Sequence, residues 1–253
     1  DEQSRTQFAM PAQYMFKDIP DAGPQTDYIA LTVAQMDNHG IARAMLDIDE
    51  DNSVAQEAVT RYPQRFFCSY EANPNRAMDE VRKIRRLRER LDIKAVTAFP
   101  SGLCPQVPVN DKKWYPIYAT LVDLDIPFCP CMGVPGPRIP MDPQRVELLD
   151  EVCWFFPELR IVTRHGCEPW TELACKLMLK YPNLHYMTSA FAPRYYPEDI
   201  IRFANTRGSD QILYAGYFPM GISLDRIFAE LPEVPLRDAV WPKFLRDNAV
   251  RVV

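Results

Sequence analysis

The chain holds three histidines, and His165 alone stands where catalysis would place one. It follows the apolar run 159–163 inside Thr163-Arg164-His165-Gly166-Cys167-Glu168-Pro169-Trp170, a corner where a strand gives way to a helix. Imidazole changes charge near neutral pH, so a histidine at such a corner is suited to moving a proton. Arg164 beside it is suited to holding a carboxylate or phosphate through charge-assisted hydrogen bonds. His39, next to Gly40, reads as a solvated helix-end residue, and His185, inside a strand, as a packing or surface residue.

A catalytic zinc normally takes three protein ligands. No H-x-H or H-E-x-x-H occurs here. Cys131, with His165 and either Glu168 or Asp111, makes a set that no motif supports. Cys129-x-Cys131 has no second cysteine pair at ligand spacing. Cys131 with His165 also makes a nucleophile and base, although a buried cysteine more often only packs. No G-x-S-x-G elbow is present, which argues against a serine hydrolase. Arg138, Lys112 and Lys113 are expected on the same rim as Arg164, as anion ligands or solvated charges.

Positioning these residues requires a repeating frame, and the sequence supplies one. Strands are expected over 42–48, 65–71, 93–99, 126–132, 159–163, 184–189 and 211–215. Helices are expected over 27–38, 52–61, 75–91, 111–124, 142–155, 169–180 and 197–205, with two more near 223–230 and 237–248. Strands that read as unbroken apolar runs are buried on both faces. Alternation of strand and helix implies βαβ units and a parallel sheet. The expected fold is therefore α/β, a TIM (β/α)8-like barrel, with its first strand upstream of residue 1. An open Rossmann-like sheet is the lesser option, because no G-x-G-x-x-G occurs. In a barrel, chemistry sits where strands end. The corners are then 99–102, 129–138, 164–170, 188–192 and 215–221. Residues 1–26 read as an irregular arm, and 27–253 as one barrel domain.

A length of 253 residues suits one such barrel. The net charge of −5 argues against non-specific nucleic-acid binding, which rests on basic residues. The basic run RKIRRLRER, 82–90, reads as the wet face of a helix. No apolar run approaches the ~20 residues of a membrane span. Seven cysteines in apolar settings suggest a reduced, cytoplasmic protein.

The stretches FPELRIVTRHGCEPWTELACKLMLKYPNLHYMTSAF, RGSDQILYAGYFPMGISLDRIFAEL and FLRDNAVRVV carry a family resemblance. Together they resemble the amidohydrolase-related (amidohydrolase 2) family. The likeness is to the branch with aminocarboxymuconate semialdehyde decarboxylase and the resorcylate decarboxylases. The resemblance implies a TIM barrel that hydrolyses or decarboxylates ring and dienoic carboxylic acids, usually with a divalent metal such as Zn, Mn or Fe. The family's strand-five histidine matches His165. Its last-strand aspartate is replaced by Tyr217 in Ala215-Gly216-Tyr217-Phe218-Pro219. Its middle histidine falls at Cys131 or Val134, and its opening H-x-H would precede this chain. The chain thus resembles an atypical, actinobacterial subgroup lacking most metal ligands, and no metal ligand is assigned.

The resemblance implies a hydrolase or decarboxylase-like lyase for a small carboxylated acid, with an eroded metal site. His165 and Tyr217 would be catalytic. Arg164, Arg138, Glu168, Cys131 and Lys113 would bind substrate. The alternative is a non-catalytic barrel that pairs with an active paralogue or binds a ligand unchanged. A homo-oligomer, or a hetero-oligomer with a paralogous barrel, is expected.

Overall fold

In a computed structural model of the chain, the described residues are 12–16, 19 and 23–253. Their seven strands form one parallel sheet in chain order. These are β1 (Ala44–Asp47), β2 (Phe66–Glu71), β3 (Ala95–Ala98), β4 (Phe128–Pro130), β5 (Ile161–Thr163), β6 (Leu184–Met187) and β7 (Ile212–Leu213). The helices are α1 (Tyr28–Asn38), α2 (Ser53–Arg61), α3 (Met78–Leu91), α4 (Tyr115–Asp123), α5 (Leu149–Phe155), α6 (Thr171–Lys180), α7 (Glu198–Ala204), α8 (Leu224–Glu230) and α9 (Asn248–Val252). This is the α/β alternation of a TIM-type barrel wall, as the sequence pattern implies.

Side-chain alternation sorts each strand into two faces. Tyr70, Val96, Phe128, Ile161, Leu184 and Ile212 face outward and pack under the helices, among them Ile84 and Leu87 of α3 and Tyr118 of α4. Val81, Ile84 and Leu87 make the buried stripe of α3. Its arginines point away and meet acids at the surface, Arg82 with Asp79 and Arg85 with Asp123. Met45, Ala95, Cys129, Val162, Met187 and Leu213 face inward and form a separate apolar cluster with Ala249, Val252 and Val253 of the C-terminal segment. Each large apolar side chain buried this way contributes ~1.5–3 kcal/mol.

β7 has β6 on one side, and the C-terminal segment serves its other edge. Tyr214 donates its backbone N–H to Phe244 O at 2.8 Å. The Asn248 amide donates to Ile212 O and Ser209 O, both at 2.8 Å. A π-helical turn, Lys243–Asp247, leads into α9 at this point.

Three segments depart from the sequence expectation. The helix expected over 142–155 is two 3-10 turns, Asp142–Gln144 and Val146–Leu148, followed by α5. Gln144 is drawn out of helical geometry because its side-chain amide donates to Gly133 O and its backbone carbonyl accepts from Gly133 N–H. The helix expected over 111–124 opens as a 3-10 turn, Lys112–Trp114, before α4 begins with Pro116 in its first turn. The last helix lies about one turn further on than 237–248, because its position is fixed by the edge of β7. Most of the expected arm falls outside the described residues. Its Gln13–Met15 turn packs on the loops beyond β4, where the Tyr14 hydroxyl donates to Gly136 O at 2.6 Å.

Candidate functional site at the barrel mouth

Alternation places Asp47 of β1, Ser69 and Glu71 of β2, Thr97 of β3 and Cys131 beyond β4 on the inward face, toward the C-terminal end of the sheet. Arg164, Ser189 and Tyr217 continue that face beyond β5, β6 and β7. Arg164 is held by its backbone. It donates N–H to Pro130 O at 2.8 Å, accepts from Met132 N–H at 3.2 Å, and forms an isolated bridge with Cys131. Arg164 is half-buried, and among the described residues no carboxylate lies within ion-pair distance of its guanidinium. Its side-chain hydrogen bond is to His165 Nε2 at 3.3 Å.

The chain reverses sharply at this point. His165, Gly166 and Cys167 all have positive φ, at 61°, 107° and 67°. For a residue with a Cβ this conformation costs on the order of 1 kcal/mol. Ser189 offsets it, accepting from His165 N–H at 3.0 Å while its hydroxyl also meets Nδ1 at 3.0 Å. Arginine only donates. His165 Nε2 is therefore the acceptor, and Nδ1 carries the proton toward Ser189. Burial first, and the Arg164 charge second, push His165 down to about 3, so the ring is neutral at physiological pH. Tyr217 meets it edge-on, with ring centroids 5.0 Å apart. Burial raises the Tyr217 phenol, which keeps its proton available for donation.

The other expected site residues divide. Cys131 reaches the mouth, but burial pushes its thiol up to about 11. It is a neutral wall residue there, not a thiolate. Glu168 lies under the corner, where a Cβ on Gly166 would overlap its Oε2 and the Phe191 ring. Its charge acts on Cys167 and Tyr186. Arg138 is exposed and stacks over the Tyr14 ring at 4.7 Å. Lys113 is exposed at the start of α4, where its ammonium donates to Asn75 Oδ1 at 3.1 Å. Asp111 caps that turn by accepting from Lys113 N–H at 2.8 Å.

Asp47 and Glu71 escaped the sequence reading, although both end an apolar strand, which is the signal that marks a barrel mouth. Asp47 is pushed up to about 6, first by its desolvated setting and then by the Glu71 charge, while Arg164 and Ser69 pull the other way. Asp47 and Glu71 are nonetheless exposed as residues, so solvent screens part of this effect.

Among the described residues the donor set does not fit a divalent metal. Among the described residues no three His, Cys, Asp or Glu side chains are arranged to hold one. The group that acts electrostatically on Asp47, Cys131, His165 and Tyr217 alike is the guanidinium of Arg164. A fixed cation among the oxygen, nitrogen and sulfur donors opposes a second one by charge. No described helix is long and apolar enough to cross a membrane.

Solved structures similar to this chain share its fold. A TIM-barrel protein of unassigned function from Bordetella bronchiseptica is 23% identical, with a TM-score of 0.78 over 88% of this chain and 81% of that one. The 2,6-dihydroxybenzoate decarboxylase from Rhizobium is 17% identical, with a TM-score of 0.70 over 97% and 95%. The 5-carboxyvanillate decarboxylase from Sphingomonas paucimobilis is 14% identical, with a TM-score of 0.67 over 99% and 92%. The search of curated proteins gave no significant match. The amidohydrolase family model, however, matches residues 6–253, and with the barrel wall and its mouth in view the chain belongs to the amidohydrolase family.

Proposed function

We propose that the barrel mouth binds a small aromatic carboxylic acid through Arg164 and releases its carboxyl group as carbon dioxide. The observation that carries this reading is the half-buried Arg164 guanidinium, which has no carboxylate within ion-pair distance among the described residues. A charge withdrawn from water and left unpaired is costly, so such a site favours an anion. A carboxylate matches the planar fork of arginine in two parallel hydrogen bonds. The decarboxylases of similar fold support the choice of an aromatic acid; one was solved with 2,6-dihydroxybenzoate bound.

Each mouth residue has a role in this scheme. The incoming carboxylate takes the Arg164 N–H groups from His165 Nε2 and neutralises the charge that depresses the ring. His165 then gains proton affinity, while Ser189 keeps Nδ1–H oriented. Its freed Nε2 can take a proton from a ring hydroxyl of the ligand, which pushes electron density into the ring. Tyr217 donates a hydrogen bond to the ligand. Fixed donors aimed at developing charge stabilise it without reorganisation. Self-association, or pairing with a second barrel, belongs to the same proposal. Trp154 and Phe155 on α5, 71% and 57% exposed, support it.

Calorimetry with benzoate and 2,6-dihydroxybenzoate tests the reading, alongside detection of released carbon dioxide. Arg164→Met is expected to weaken carboxylate binding by about 100-fold, the order of a lost charge-assisted pair. Equal affinity in the variant would overturn the site. Arg164-dependent binding without carbon dioxide release, together with co-purification of a second barrel, would favour the non-catalytic subunit.

A further inference from the structure

The end of the barrel opposite the mouth carries a cleft that the carboxylate chemistry at Arg164 does not use. We propose that this cleft binds a phosphoryl group, held by Arg207 and Arg251 and by the open ring nitrogen of His185.

His185 is the second residue of β6 and alternates with Leu184 and Tyr186, which face outward. It is 3% exposed, yet it lines a cleft of about 310 Å³ together with Arg207, Arg251, Met178, Leu179 and Pro182. Its Nδ1–H donates to Asn183 O at 3.1 Å, which leaves Nε2 as an acceptor. That nitrogen is buried and has no partner among the described residues. A buried polar atom without a partner is costly, so the cleft favours a ligand that brings a donor.

The walls are fixed and their charge is positive. The Gln211 side-chain amide donates to Met178 O and Leu184 O, both at 2.8 Å, and to Tyr181 O at 3.3 Å. Arg251 of α9 donates to the Asp210 backbone oxygen and to Asn248 Oδ1, neither of them charged. Arg207 is exposed at the rim. Neither arginine has a carboxylate at ion-pair distance among the described residues. Asp210, the carboxylate in the lining, is paired to Lys243 at 2.9 Å. Arg160, just before β5, also acts on His185 but is paired to Asp125 at 2.6 Å.

The hydrogen-bonding needs select the anion. Burial first, and the Arg251 charge second, push His185 down to about 4, so its ring is a neutral acceptor at physiological pH. A carboxylate only accepts, so it would satisfy the arginines and leave Nε2 bare. A singly protonated phosphoryl group does both. Its charged oxygens accept from the arginines, and its O–H donates to Nε2. The second ionisation of a phosphomonoester falls at about pH 6, so that form is accessible near neutral pH. Met178, Leu179 and Pro182 offer apolar surface to an organic group on the phosphate.

Calorimetry at about pH 5.5 with phenyl phosphate and phenyl sulfate tests the proposal. Both are then mostly monoanions of one shape, and only the phosphate has an O–H. The full chain is expected to bind phenyl phosphate at least ~10-fold more tightly than phenyl sulfate, the order of one hydrogen bond to a buried acceptor. Arg207→Ala and Arg251→Ala are each expected to weaken phenyl phosphate by about 10-fold or more. Arg207 is exposed, so its variant reads binding without disturbing the core. His185→Asn keeps a donor for Asn183 O and removes Nε2, and the preference for phosphate over sulfate is expected to vanish in it. Arg164→Met is expected to stay within about 3-fold of the parent, because the mouth lies at the other end. Absent binding, equal affinity for the two esters, or a loss in Arg164→Met with none in Arg207→Ala would overturn the proposal. Inorganic phosphate decides the source of the group. Affinity equal to that of phenyl phosphate identifies free phosphate, and weaker binding identifies a phosphomonoester.

Discussion

The two ends of the barrel interior are built from the same strands and behave in opposite ways. At the closed side, Met45, Ala95, Cys129, Val162, Met187 and Leu213 meet Val252 and Val253, and apolar contact fills the space. At the mouth, Asp47, Glu71, Arg164, His165 and Tyr217 come together, and charge takes the place of apolar contact. Each end holds a histidine, His185 buried and His165 half-buried. His165 has both ring nitrogens engaged, by Ser189 and Arg164. His185 donates Nδ1–H to Asn183 O at 3.1 Å, and its Nε2 has no partner among the described residues. Both rings are held neutral, His165 at about 3 and His185 at about 4, burial being the first cause in each case and a nearby arginine the second. The lesson is that burial depresses a histidine wherever it occurs. At the mouth a ligand can reverse the second cause, by pairing with the arginine.

The largest test of this contrast is acid. Both histidines bind a proton more readily when unfolded, so stability is full above the unfolded value of 6.5 and falls as pH drops toward the folded values. Between pH 7 and about pH 4.5, each is expected to remove roughly 2–3 kcal/mol from the unfolding free energy. Urea unfolding of His165→Gln and His185→Gln measures this, and each variant is expected to lose about half of the acid sensitivity. Benzoate should protect the parent at acid pH, and should not protect His165→Gln to the same extent. A sensitivity unchanged in both variants would remove the histidines from the account.

Next comes a paired substitution, one at each end. Asn248→Ala leaves Ile212 O and Ser209 O without their donor and is expected to cost about 2 kcal/mol, with benzoate affinity unchanged. Arg164→Met removes a half-buried charge that has no carboxylate partner among the described residues, and is expected to leave the thermal midpoint unchanged or raised while abolishing tight carboxylate binding. Matching stability losses in the two variants would erase the distinction between the ends.

A smaller effect of opposite sign is expected at Asp47. Its folded value is raised to about 6, so its contribution is present below 3.8 and is lost as pH rises through 6. Asp47→Asn should therefore gain thermal stability over the parent at pH 8, and little or none near pH 4. Scanning calorimetry at both pH values checks the sign. The smallest effects belong to the rim. Arg138→Ala and Lys113→Ala are expected to change benzoate affinity by less than about 2-fold, because their charges are exposed and engaged with Tyr14 and Asn75.

Apolar period and length made the barrel wall legible. Runs such as RFFCSYE and LRIVT can be buried on both faces only in a covered parallel sheet, and the helices between them follow from that. His165 and Arg164 were legible for the same reason, since a strand end in such a sheet is a mouth position. The sequence did not show that Gln144 would be pulled from its helix by Gly133, or that the last helix would be set by the edge of β7. Both depend on hydrogen bonds between segments distant along the chain. Nor did it show that Arg138 would stack on Tyr14 and Lys113 bond Asn75, or that Asp47 and Glu71 would end their strands on the inward face. Local pattern determines which faces of a strand or helix must be buried. Strand register and the paths of the loops decide which charges meet across the barrel, and those are fixed only when the whole sheet has curled.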